Sequence, residues 1–145
     1  MIVKVDKTVK INEPQKVAQL LRDILEVESD IDKDKEHFWV IGLDTQNMVL
    51  FVDLCSLGTL NATLVHPREV FRLAVSKGTD RIIVGHNHPT NSANISPSSE
   101  DLKVTERLAK AGEILGISLL DHIIIGKSEY FSFSENRKIL GINWL

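Results

Sequence analysis

The hydrophobic and polar positions change period several times along the 145 residues, and each change marks an element. Residues 2–11 are rich in valine and isoleucine, with Val5, Val9 and Ile11 on one parity, which predicts a strand. Asn12, a capping type, precedes Glu13 and Pro14; Val17, Leu20, Leu21, Ile24 and Leu25 then recur at helical spacing. An amphipathic helix over 14–28 is expected there. The polar stretch 29–35 reads as a loop. Two apolar runs, 37–43 and 48–54, flank Asp44-Thr45-Gln46-Asn47 and predict a hairpin. A third run, 59–65, alternates weakly and would extend the same sheet.

Pro67 opens a short helix carrying Val70, Phe71, Ala74 and Val75, closed by Gly78. The run 81–85 (RIIVG) is a short apolar strand expected at the centre of the sheet. The segment 89–97, with a proline at each end, is a loop. Ser98 and Asp101 have the spacing of a capping box and open a helix through Leu102, Leu108, Ala109 and Leu115 to Gly116. Runs 117–125 and 130–134 form another hairpin around Gly126. The fold class is therefore mixed α/β (α+β): a mainly antiparallel sheet flanked by helices, in one domain over 1–145.

Composition narrows the chemistry. With 43% hydrophobic and 26% charged residues, the chain is an ordinary globular protein able to build its own core. Its one cysteine, Cys55, excludes a disulfide framework and any zinc site of several thiolates. No basic neighbour activates it, so a small buried hydrophobe is the expected role. A net charge of −3 and a pI near 5.9 argue against bulk electrostatic binding of DNA. The N-terminal residues lack a signal-peptide pattern, and no apolar run is long enough to span a membrane. A cytoplasmic protein is the default expectation, and the five histidines become the features to explain.

The informative string is Gly85-His86-Asn87-His88-Pro89, followed by Ser98 and Asp101. Residues two apart on an extended chain point to one side, so His86 and His88 can both face one ion. Asp101, in the first turn of the next helix, can return to that strand end. Two imidazoles, one carboxylate and an open position suit a catalytic zinc site, while iron, nickel and manganese stay open. An isolated H-x-H is weak by itself, and Ser98 with Asp101 can be a helix start and nothing more. Their combination at the end of an apolar strand favours the metal.

These residues resemble a known family. HNHP and SPSSED, with VHPREVF before them and LLDHIIIG after them, resemble the RadC family of the JAB/MPN superfamily, whose members carry the JAMM metalloprotease motif. The likeness runs in motif order from Asn12 to Phe133. It implies His86, His88 and Asp101 as metal ligands, one Zn(2+) as cofactor, and Ser98 as the residue that holds water and the developing oxyanion. It also implies an upstream glutamate as general base. Glu36, after the first helix and at the head of a strand, is preferred to Glu69 in PREVF. The reaction implied is peptide or isopeptide hydrolysis of an unknown protein or peptide substrate.

The chain departs from the family pattern in two places. Thr90-Asn91 stand where Ser-Gly is usual, and the loop from His88 to Asp101 is two residues longer. A competing function is a DNA-repair-associated protein that binds or processes DNA, which the dispersed basic residues and mild acidity do not favour. Longer family members carry an N-terminal helical region of DNA-binding type, and this chain is expected to lack it. A non-catalytic scaffold is a third class. Among the other histidines, His66 is expected to lead into a helix and His37 to pack or face solvent. His122 is expected to be a hydrogen-bonded core residue, or else a residue that orients a metal ligand. Trp39 and Trp144 are expected in the core or at an interface. Oligomeric state is left open.

Overall fold

The longest apolar runs take the middle of the sheet. In the computed structural model, which describes residues 1–5, 9–58, 65–88 and 95–145, β2 (Glu36–Leu43) is buried from His37 onward. The strand β4 (Arg81–Asn87) is buried from Ile82 onward. Strands covered on both faces need such runs. Around this pair lie β3 (Val49–Gly58), β5 (Ser118–Ile125) and the short edges β1 (Ile2–Val3) and β6 (Tyr130–Ser132). The order is β1-β3-β2-β4-β5-β6. Every neighbouring pair is antiparallel except β4–β5, so the sheet is mixed and mainly antiparallel, as the pattern predicts.

Alternation along the strands assigns side chains to two faces. Trp39, Ile41, Ile83 and Ile123 pack with Val17, Leu21 and Ile24 of α1 (Pro14–Glu26). Phe38, Val40, Ile82 and Val84 pack on the other face. There they meet Val70 of α3 (Pro67–Val70), Ala74 of α4 (Arg72–Lys77), and Val104 and Leu108 of α5 (Ser99–Leu115). Each fully buried side chain such as Leu21 contributes about 1.5–3 kcal/mol. Gly85 lets α1 come close, because a Cβ there would run into Leu21.

The parallel β4–β5 pair requires a crossover, and α5 supplies it. Its start therefore lies by the C-terminal end of β4, and Gly116 ends it with φ +73°. This single topological fact positions the site.

The structure corrects several expected elements. Of the strand expected over 2–11, only β1 and a bridge between Lys10 and Met48 form, residues 6–8 lying outside the described set. Glu13, and not Asn12, caps α1; it makes no side-chain cap bond, and Pro14 at the first helical position starts the turn. The helix ends at Glu26. The expected loop over 29–35 contains a turn of helix, α2 (Asp30–Lys33), whose Asp32 N–H donates to the Ser29 hydroxyl at 3.2 Å. The helix after Pro67 is broken at Phe71, which leaves α-geometry (ψ −3°) while its ring is buried. Most of the expected third strand, residues 59–64, and part of the 89–97 loop, residues 89–94, lie outside the described residues.

The polar C-terminal sequence hides a 3-10 turn (Ser134–Asn136) and α6 (Arg137–Leu140). Asp121 builds that corner. It accepts from Ser132 Oγ at 2.6 Å, Ser134 N at 2.9 Å and Ser134 Oγ at 2.9 Å. Burial still pushes its carboxyl above the usual range, those hydrogen bonds only partly offsetting it. Cys55 is half-buried, not fully buried; burial and the nearby Asp53 carboxylate push its thiol up to about 12. Among the described residues no helix is long and apolar enough to cross a membrane.

Candidate metal centre

The end of β4, the start of α5 and the middle of β5 meet at one point. His86 belongs to the strand, while His88 lies just past it. The His88 backbone N–H donates to Ile125 O at 3.0 Å, extending the β4–β5 ladder by one bond. The spacing of two puts both imidazoles on the α5 side, with ring centroids 5.1 Å apart. Asp101 completes the group. Its Oδ1 lies 3.5 Å from His86 Nε2, and its Oδ2 lies 3.6 Å from His88 Nε2. One ligand atom from each of the three residues falls within 4.8 Å of the others.

Asp101 is held by the device that starts its helix. The Asp101 N–H donates to Ser98 Oγ at 3.1 Å, and the Ser98 N–H donates to Asp101 Oδ2 at 2.8 Å. The helix-start reading and the ligand reading are thus one structure: the capping box aims the carboxylate. The positive end of the helix dipole favours its charge. Burial opposes that charge, but the facing His86 and His88 rings, at 3.5 and 3.6 Å, outweigh the burial. The Ser98 backbone N–H adds to their effect, so the carboxyl is held well below the usual carboxylate range.

Exposure grades across the group, from 1% for the His86 side chain and 8% for Asp101 to 15% for His88. Access is therefore from the His88 side. Of the three residues only His88 also lines a cavity of about 170 Å³, whose other walls, among them Arg22, Leu25, Asn87 and Lys127, lie toward α1.

His86 Nδ1 lies 2.7 Å from His122 Nε2, and His122 Nδ1 lies 2.6 Å from Thr105 Oγ1. Thr105 Oγ1 in turn lies 2.6 Å from the Asp101 carbonyl. The His122 ring is wholly buried, stacked on Phe133 at 4.7 Å and met edge-on by Phe38. Burial, then the adjacent His86, hold its pKa well below the usual histidine range. Of the two expectations for His122, the structure gives both: a hydrogen-bonded core histidine that also touches a candidate ligand. Thr105 was not foreseen. Its spacing of four from Asp101 was readable as one helix face, but its partner on β5 was not.

The donor set fits a divalent metal. His86 Nε2 is buried and makes no hydrogen bond, although a second imidazole and a carboxylate surround it. Two nitrogens and a carboxylate oxygen suit zinc and the neighbouring transition metals.

Glu36 heads β2, half-buried. Phe38 pairs with His86 across β2 and β4, the last pair of that ladder, and Glu36 lies two residues before Phe38 on β2. It shares the sheet face of both histidines. Glu69 lies on α3, 59% exposed, with Arg72 Nε at 4.0 Å. Ser98 sits at the rim as the α5 cap. His66 caps α3, as expected of a residue leading into a helix.

Residues 11–139 match the family described as "RadC-like JAB domain". A "UPF0758 protein" of Desulfitobacterium hafniense is 46% identical over 125 residues, covering 86% of this chain and 52% of that protein. One from Listeria innocua is 56% identical over 101 residues, covering 70% of this chain and 44% of its own. Another, from Alkaliphilus oremlandii, is 43% identical over 130 residues, covering 90% and 53%. The chain spans about half the length of these curated relatives.

Proposed function

Since the chain belongs to the family of RadC-like JAB domains, we propose that it is a zinc-dependent hydrolase of peptide or isopeptide bonds. The observation that carries this reading is the buried His86 Nε2, without a hydrogen bond, facing the Asp101 carboxylate at 3.5 Å. A lone pair left bare in a dry pocket costs about 1–3 kcal/mol, and coordination recovers it. His86, His88 and Asp101 would hold the ion. When bound, zinc supplies Lewis acidity, the property that lets a coordinated water ionise near neutral pH.

The chain's own groups divide the remaining work. Glu36, two residues before the Phe38 that pairs with His86 and on the same sheet face, takes a proton from the attacking water and delivers it to the leaving amine. The Ser98 oxygen accepts from the Asp101 N–H, so its own proton is available to the carbonyl oxygen of the substrate as that oxygen gains charge. Water adds across the C–N bond, leaving a carboxylate and an amine.

The test is hydrolysis of a peptide and isopeptide library by zinc-loaded protein, read by mass spectrometry. Cleavage with wild type, and a fall of about 10²–10⁴-fold in rate with Glu36→Gln at unchanged zinc content, is expected. Zinc-loaded protein that cleaves nothing, or Glu36→Gln that cleaves normally, contradicts the assignment.

A further inference from the structure

We infer that Thr105 and His122 are positioning residues that fix which nitrogen of His86 is offered to a metal, through one hydrogen-bonded chain running from the backbone of Asp101 back to His86. The chain has three short links: Asp101 O to Thr105 Oγ1 at 2.6 Å, Thr105 Oγ1 to His122 Nδ1 at 2.6 Å, and His122 Nε2 to His86 Nδ1 at 2.7 Å. Its direction follows from the chemistry of its end. A carbonyl oxygen only accepts, so the single Thr105 hydroxyl proton goes to Asp101 O. The Thr105 oxygen must then accept, and His122 Nδ1 carries the proton that it accepts. In the neutral ring that leaves His122 Nε2 bare, and it accepts from His86 Nδ1–H. His86 Nε2 is left with its lone pair, on the side of His88 and Asp101.

The reverse direction is the competitor. There Thr105 donates to His122, His122 donates to His86, and His86 Nε2–H points to the Asp101 carboxylate. The geometry disfavours it, because His86 Nε2 stands 3.5 Å from Oδ1 and makes no hydrogen bond. The chain also closes on itself. It begins at the backbone of one candidate ligand and ends at the ring of another, spanning α5, β5 and β4. Phe133 and Phe38 hold the His122 ring in its orientation. Metal-bound histidines are commonly oriented by a carboxylate or a carbonyl. Here a second imidazole does it, and a threonine hydroxyl sets the direction.

The inference rests on the metal reading of the site, but its first readout does not need the metal. Long-range ¹H–¹⁵N spectra of zinc-free protein report which nitrogen of each ring is protonated. Wild type is expected to show Nδ1–H in both His86 and His122. Thr105→Val, nearly isosteric, removes the acceptor and is expected to shift His122 toward Nε2–H while the fold persists. Competition titration with a zinc chelator should then show zinc affinity reduced by about 10–100-fold. Thr105→Ser should restore both readings, which a purely packing role for the threonine methyl would not do. Unchanged tautomers and unchanged affinity in Thr105→Val overturn the inference, as does Nε2–H on His86 in zinc-free wild type. Failure of hydrolysis with these readings intact would count against the proposed reaction and not against the chain of bonds.

Discussion

His37 and His86 stand on neighbouring central strands, point to opposite faces of the sheet, and are both buried near a carboxylate. Their surroundings end differently. His37 Nε2 lies 2.6 Å from Glu28 Oε2 and its Nδ1 lies 2.8 Å from Lys35 O, so both ring nitrogens have oxygen partners. The Asn87 side chain joins the same knot, accepting from His37 N at 2.6 Å and donating to Lys35 O at 3.0 Å. That cluster is complete and structural: it ties the loop before β2 to the end of β4. His86 spends only Nδ1 on the protein and keeps Nε2 bare beside two further groups that could hold a metal ion. Burial and a nearby acid are common to both. The unsatisfied atom, with its neighbours converging on it, separates a site from a brace.

The sharpest separation should come from His37→Phe. The ring volume is kept while Glu28 loses its partner, and a stability loss of about 2 kcal/mol is expected, roughly 4–8 °C in Tm. Zinc content should not change, as measured after desalting. A variant that keeps its stability but loses zinc would merge the two clusters into one.

Ser98→Ala should cost less, about 1 kcal/mol of stability by thermal melting, because it removes the acceptor for the Asp101 N–H. Zinc should stay, because the Ser98 backbone N–H still holds Asp101 Oδ2. Loss of zinc in this variant would make the hydroxyl itself a necessary holder of the group.

The smallest expected effect is on pH dependence. Burial holds His122 well below the usual histidine range in the folded chain. The unfolded chain takes up that proton near pH 6.5 while the folded chain resists it, so stability present above about pH 6.5 falls as pH drops below it. Zinc-free wild type should therefore lose Tm between about pH 7 and pH 5 more steeply than His122→Phe. Equal slopes would assign the acid sensitivity to other groups.

Much of this was readable before the structure. The strand–loop–helix order, the H-x-H spacing and the Ser98–Asp101 capping box are local, and local patterns carry period and spacing directly. That is why His86, His88 and Asp101 emerged as a group. The run 81–85 gave the expected buried central strand for the same reason. What failed was set by contacts distant in sequence. The turn and helix over 134–140 form because Asp121, thirteen residues before Ser134, organises them. The break at Phe71 follows from burying its ring on the α5 face. The Thr105–His122 contact depends on the parallel register of β4 and β5, in which Val84 faces His122, and no spacing within either segment reveals it. His37 was expected to pack or face solvent; it packs, and its hydrogen-bonded partners come from Glu28 just beyond α1, from Lys35 before β2 and from Asn87 of β4.

The most direct measurement is the metal content of the purified chain by elemental analysis, after incubation with zinc and removal of excess. Wild type and His37→Phe are expected to retain about one zinc per chain, and His86→Ala close to none. A wild-type chain without zinc, or His86→Ala holding as much as wild type, would contradict the account.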